Sequence, residues 1–229
     1  MKIILLVHRP AVIAVAGSVN KSFFRDEIKK VLLAKGKTVR ANPKNFNTEI
    51  GLPLAILNIE SGYNSYQRWL PAIGKAFLAI FQKDFPQYLV LELGVAQKED
   101  MKYLLSLVKS KIAVVTEITQ RYIESFSGME RLVGEYIYLA KNLKKDDTLI
   151  LNWDNSKVRE LKKYTKAKVI YFGKNNSACD GEIKNIAEEK WGMKVDLRYQ
   201  KEEKEMEIKR FGEHHAAAAL AGWIVKKEI

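Results

Sequence analysis

The stretch AVIAVAGSVNKSFFRDEIKKVLLAKG, residues 11–36, constrains the fold more than any other part of the 229-residue chain. Ala11 to Gly17 is a run of small and β-branched residues ending on glycine, which reads as a buried strand entering a tight turn. Beyond the turn, Phe24, Ile28, Val31 and Leu32 recur at helical spacing, and Gly36 supplies a stop. The pattern then repeats with other residues. Strands are expected at TVRA, YLVLELG, KIAVVTEI, DTLILNWDN and AKVIYFG, and helices over 62–85, KEDMKYLLSLVK, Ser127–Leu143 (with a serine start) and SKVRELKKYTK. Alternation of this kind through Gly173 predicts an α/β fold, a mostly parallel sheet with helices on both faces. The segment from Glu182 to Gly212 reads instead as alternating antiparallel strands, a small extension near the C-terminus, and EHHAAAALAGWIVKKEI as a closing helix. With no internal repeat or low-complexity linker, residues 1–229 are expected to form a single domain.

Ligands of such sheets bind beyond the carboxyl ends of the strands, so chemistry is sought there. A phosphate cradle needs converging backbone N–H groups, a helix N-terminus, a lysine for the outer phosphates and a hydroxyl for Mg²⁺. The turn Gly17-Ser18-Val19-Asn20-Lys21-Ser22 offers these parts. Asn20 stands where such loops carry a glycine, and asparagine is among the residues most tolerant of a left-handed backbone. An ordinary strand–turn–helix with a serine cap would read the same way. Glu92, at the end of the YLVLELG strand, is placed to hold Mg²⁺ or simply to face solvent. NFNTEIGLP, residues 45–53, reads as an ordered turn before a helix, and Trp153 is placed to stack on a base.

The net charge of +12 favours anionic partners, a nucleotide, nucleic acid, a phosphorylated substrate or a membrane surface. The lysines are spread thinly and KEEKEMEIKR alternates in sign, so nucleic acid is the weaker choice. One cysteine, Cys179, excludes a disulfide framework and suits a reducing cytoplasm. The N-terminal MKIILLVHRPAVIAVAG mimics a secretory leader, but Arg9 and Pro10 interrupt it and cleavage after Ala16 would cut the glycine turn. His214 and His215 are adjacent and point apart on a helix, which argues against a zinc site.

Six segments in order, GSVNKS, NFNTEIGLPLAIL, LVLELG, IAVVTEI…YIESF, LILNWDN and FGEHHAAAALAG, together closely resemble the central ATP-binding domain of the Mur ligases. The NFNTEIGLP loop is most similar to the branch that adds D-alanyl-D-alanine to a UDP-N-acetylmuramoyl tripeptide. The resemblance implies ATP-dependent amide formation in peptidoglycan precursor synthesis, through an acyl phosphate, in the cytoplasm. It implies that Gly17, Ser18, Val19, Asn20, Lys21 and Ser22 bind the phosphates, with Lys21 and Glu92 catalytic. Ser22 and Glu92 would hold Mg²⁺, Asn152 and Asp154 would lie by the adenosine, and Asn45, Thr48 and Glu49 would face a UDP-muramoyl-peptide substrate. The chain departs from the family at Asn20 (usually Gly), Glu117 (usually Asn) and Tyr122 (usually His). It lacks a lysine over Val133–Tyr136, and it carries His215 and Ala218 where the family has asparagines near the adenine. The N-terminal UDP-binding and C-terminal ligase domains of the family are absent from residues 1–229, which raises the expectation of a partner chain that supplies them. A degenerate, non-catalytic Mur-fold protein acting as a binding or scaffold module is the alternative.

Overall fold

The structure, a computed structural model, describes residues 1–43, 46–61, 66–121 and 123–229. In chain order the elements are α1 (Lys2–His8), β1 (Ala11–Ala16), α2 (Lys21–Ala34), β2 (Val39–Ala41), α3 (Gly51–Leu57) and α4 (Tyr66–Leu78). They continue with β3 (Tyr88–Glu92), α5 (Asp100–Leu107), β4 (Ile112–Val115), α6 (Ile123–Phe126), α7 (Met129–Asn142), β5 (Thr148–Asn152) and α8 (Ser156–Arg159). The chain closes with β6 (Lys168–Lys174), β7 (Gly181–Glu189), β8 (Gly192–Tyr199), β9 (Glu202–Ile208) and α9 (Glu213–Lys227).

Among the described residues the strands form one nine-stranded sheet in the order β2-β3-β1-β4-β5-β6-β7-β8-β9. Pairing is parallel from β2 across to β7 and antiparallel through β7-β8-β9, as the change of pattern after Gly173 predicts. The central strand shows why the sheet must be covered twice. Val12, Ala14 and Ala16 face one core with α3, α5 and α7, while Ile13 and Val15 face the other with α2 and α9. Alternate side chains point to opposite faces, so an apolar run of this length is stable only between two helical layers. Packing of α9 against α2 is close because the facing residues are small: a Cβ at Gly222 would lie 3.2 Å from Glu27 Cγ. Gly36 (φ 73°) ends α2 as expected, with Lys37 N donating to Leu32 O at 3.1 Å and Gly36 N to Leu33 O at 2.9 Å.

Three local expectations change, and one element that the sequence left unread is added. MKIILLVH forms the helix α1, anchored by buried Ile4 and stopped by left-handed Arg9 before Pro10. The NFNTEIGLP turn becomes helical already at Gly51. The serine start of α7 fails, because Ser127 and Gly128 both adopt positive φ and the helix begins at Met129 without a side-chain cap. SKVRELKKYTK makes one α-helical turn, capped by Asn155, and then tightens into a 3-10 turn. The helix expected over 62–85 is α4 with a 3-10 turn at Ala79–Phe81, and its first four positions lie outside the described residues. No helix among the described residues is long and apolar enough to cross a membrane.

Ile28 sits fully buried where α2 meets the sheet. Ile28→Ala is expected to destabilise the fold by about 2–5 kcal/mol, measured by urea denaturation, because the site is walled by α9 and cannot collapse.

Candidate functional site

Strand order reverses at β1, which has β3 on one side and β4 on the other, so a crevice opens beyond their carboxyl ends. The Gly17–Ser22 turn occupies it. Gly17 adopts φ 141°, and a Cβ there would overlap Thr116 Oγ1 and lie 3.1 Å from Glu117 N. Only glycine lets the turn approach the segment after β4 this closely. That segment straps the turn down: Ser18 N donates to Glu117 O at 2.6 Å, Thr116 Oγ1 to Val19 O at 2.7 Å, and Thr119 N to Ser18 Oγ at 3.1 Å. Ser18, one of the residues expected to bind the phosphates, spends its N–H on this strap.

Asn20 takes the left-handed conformation (φ 65°) that a glycine would otherwise supply, and its Nδ2 donates to Glu117 Oε1 at 2.9 Å. Two departures from the family, 97 positions apart in the chain, are thus one hydrogen-bonded pair. The side chain is drawn towards Glu117 and away from the mouth of α2, whose first N–H groups have no partner within the helix. Lys21 Nζ donates to Gly17 O at 2.8 Å across the turn. Burial lowers its pKa, while the Glu92 charge pulls it back up and Arg121 adds to the lowering. Beneath the turn, Tyr136 Oη is buried beside Ser18 without an aligned hydrogen bond, and burial pushes the phenol up to about 12.

Glu92 ends β3 opposite Val15. Its Oε1 lies 2.7 Å from Arg25 Nη1, with side-chain exposures of 5% and 7%. The contact is an ion pair off the N–H axis, and Oε1 accepts no aligned hydrogen bond. Nη1 donates one of its two protons to Asn42 O at 2.8 Å, while Arg25 Nε donates to Asp26 Oδ1 at 2.8 Å. Asn42 in turn clamps the Glu92 backbone, accepting from its N at 2.8 Å and donating to its O at 3.2 Å. Sequence reasoning missed Arg25, although it stands one helical turn after Lys21 and therefore shares its face. Ser22 lies half-buried in the first turn of α2. Among the described residues no group of three or more His, Cys, Asp or Glu side chains is arranged to hold a metal ion.

The NFNTEIGLP loop reaches the same edge. Asn42 Nδ2 donates to Phe46 O at 3.0 Å and Gly94 N to Asn47 O at 2.8 Å, which ties the loop to the end of β3. Thr48 O accepts from Leu52 N at 2.9 Å and opens α3, and Glu49 is exposed. Asn45 and Tyr122 lie outside the described residues.

Beyond Glu117 a cavity of about 250 Å³ opens between the ends of β5 and β6 and the start of α9, bordered by Asn152, Asp154, Lys174, Glu213 and His214. Asp154 N donates to Asn152 Oδ1 at 3.0 Å, and Asp154 Oδ2 accepts from Lys174 N at 2.9 Å. Burial raises the Asp154 pKa, and the Lys174 N–H opposes it. Gly173 makes room, since a Cβ there would sit 2.9 Å from Asp154 Oδ1. Asn152, Asp154 and the Gly17–Ser22 turn are therefore brought to one crevice, bridged by Glu117. Two expectations fail here. Trp153 packs edge-on against Tyr171 at 4.9 Å with Arg159 over its ring, and does not line the cavity. The α9 residues that face it are His214 and Ala217, whereas His215 and Ala218 border a separate cavity with Phe23 and Asp26. Adjacent helical positions differ by about 100°, so a shift of one residue moves a side chain to another face.

A glycine turn strapped over a parallel sheet, with a lysine folded inside it and a nucleoside-sized cavity alongside, defines a P-loop type α/β domain. A family model for the Mur ligase middle domain matches residues 72–225, and the chain belongs to that family. It is 26% identical over 227 residues to the UDP-N-acetylmuramoyl-tripeptide--D-alanyl-D-alanine ligase of Rickettsia prowazekii, covering 95% of this chain and 44% of that protein. The fold matches MurF from Acinetobacter baumannii with a TM-score of 0.77 at 15% identity, over 99% of this chain and 45% of that one. It matches MurF ligase from Thermotoga maritima, solved in complex with ADP, with a TM-score of 0.75 at 16% identity, over 99% of this chain and 48% of that one. The chain thus spans less than half the length of these relatives.

The Asn20–Glu117 pair makes a defined prediction. Asn20→Ala, which keeps a Cβ at positive φ and loses the bond, is expected to cost about 1 kcal/mol more than Asn20→Gly. A double-mutant cycle of Asn20→Gly with Glu117→Ala, read by chemical denaturation, should give a coupling of about 0.5–1.5 kcal/mol.

Proposed function

We propose that residues 1–229 are the ATP-binding middle domain of a cytoplasmic ligase that joins D-alanyl-D-alanine to a UDP-muramoyl peptide in peptidoglycan precursor synthesis. The observation that carries this reading is the placing of Lys21, the N-terminus of α2 and the Asn152–Asp154 cavity along one crevice. The UDP-binding and amine-delivering domains of the reaction belong to sequence beyond residues 1–229 or to a partner chain.

The reaction has two steps. A substrate carboxylate attacks the γ-phosphorus of ATP, the bond to the β-phosphate oxygen breaks, and ADP leaves from an acyl phosphate. The incoming amine then attacks the acyl carbon, phosphate departs and a proton is lost from nitrogen. This chain's part is to bind and orient. The Lys21 ammonium exchanges Gly17 O for the outer phosphate oxygens, and the first N–H groups of α2 meet the same charge. Asn152 and Asp154 border the place of the nucleoside. Thr48 and Glu49, with Asn45 before them, present the loop to the muramoyl peptide, which holds the attacking carboxylate in line. Mg²⁺ on Ser22 and Glu92 is the part of the expectation that the residues do not fit. The Glu92 Oε1 is buried against the Arg25 guanidinium, and a divalent ion bound there would meet that positive charge.

Calorimetric titration with a non-hydrolysable ATP analogue tests the reading. Binding is expected for the wild type and loss of tenfold or more in affinity for Lys21→Ala, about 1.4 kcal/mol; equal binding by both would overturn it. Because burial already lowers the Lys21 pKa and phosphate favours its charged form, nucleotide binding takes up protons. Affinity should be full near neutral pH and fall as pH rises through the lowered pKa, before the 10.5 of an ordinary lysine.

A further inference from the structure

We propose that Arg25 stands in place of the divalent cation at Glu92, so that the site takes a nucleoside triphosphate in its metal-free form. The inference rests on the nucleotide-binding reading and concerns the form of the ligand. Three observations carry it.

The first is the pair itself, with Arg25 Nη1 2.7 Å from Glu92 Oε1 and both side chains buried. The second is its anchoring. Arg25 is held by Asn42 O and Asp26 Oδ1 as well as by Glu92, and Asn42 grips the Glu92 backbone on both sides. The guanidinium is therefore part of a network joining α2, the end of β2 and the end of β3, and a rotamer change alone would not release it. The third is charge. Lys21 and Arg25 lie one turn apart on α2, and both act on the single Glu92 carboxylate. Asp26, the other carboxylate on Arg25, is 58% exposed, so Glu92 is the buried anion facing both cations, and positive charge already stands where a metal would bring it. Mg²⁺ takes oxygen ligands at about 2 Å and keeps several waters. At Glu92 Oε1 it would need a buried oxygen that already has a guanidinium nitrogen 2.7 Å away, and the two positive charges would have to share it. Breaking the pair would leave an uncompensated buried charge on one side or the other.

Titration of the wild type with a non-hydrolysable ATP analogue, once in excess EDTA and once in millimolar Mg²⁺, tests the proposal. Dissociation constants within about threefold of each other are expected, and a tightening of tenfold or more by Mg²⁺ overturns it. Arg25→Gln releases Glu92, and for that variant Mg²⁺ should tighten binding at least fivefold more than for the wild type; an unchanged ratio counts against Arg25 as the replacement. Glu92→Gln gives a readout that needs no nucleotide. It should lower Tm by roughly 5 °C or more, since it strands a buried guanidinium, and an unaltered Tm overturns the pairing. Absence of binding with and without Mg²⁺ would sink the nucleotide reading, while the Glu92→Gln unfolding curve would still decide whether Glu92 is committed to Arg25.

Discussion

The close approach of Gly17 to Thr116 is the contact on which the crevice depends. It brings the turn after the central strand against the segment after its neighbour, within the reach of three short hydrogen bonds. A side chain at Gly17 would push the two strand ends apart. The N-terminus of α2 would then no longer sit over the sheet edge, and Glu117 would lose both Ser18 and Asn20. Everything proposed for the site, from the folded-in lysine to the shared wall with the Asn152–Asp154 cavity, follows from this local fit. The sheet supplies the rigidity, since β1 is buried on both faces and cannot yield.

Around that fit the charges are arranged unusually tightly. Lys21 is turned inward onto Gly17 O, Glu92 is held by Arg25, and Asn20 is held by Glu117. These three side chains, which the family resemblance assigns to phosphate or metal, already have partners in the chain. Buried polar groups are mostly paired, and without a ligand these side chains take their partners from within the chain. The proposed binding reaction is therefore an exchange of partners, in which the phosphate has to offer more than the carbonyl it displaces. Lys21 can make that exchange by rotating one flexible side chain. Arg25 is anchored at three points and cannot do so as readily.

The departures that look like separate losses in the sequence have different meanings once placed. Asn20 and Glu117 meet and support each other, so the turn keeps its shape without its usual glycine. The shift from His215 to His214 matters because neighbouring helical positions face different cavities. Trp153 has the right position in the chain to meet a base and the wrong direction, being packed against Tyr171 and Arg159.

By itself the sequence determined the layered α/β fold, the parallel sheet with its antiparallel end, and the turn at Gly17–Ser22. These are set by apolar periodicity and by residues with special backbone freedom, both of which are local properties of the chain. It also pointed to the Mur ligase family through six segments in order. It did not disclose α1, whose short apolar run has no period long enough to separate helix from strand, nor the start of α7, where backbone geometry at Ser127 and Gly128 overrides a serine cap. Only the tertiary structure decided which polar groups are paired. The partners Arg25 and Glu92, and Asn20 and Glu117, lie far apart in the chain and meet because strand ends converge at the switch in sheet order. No spacing in the sequence encodes that meeting, since it depends on which strands become neighbours and on the direction in which each side chain leaves its element.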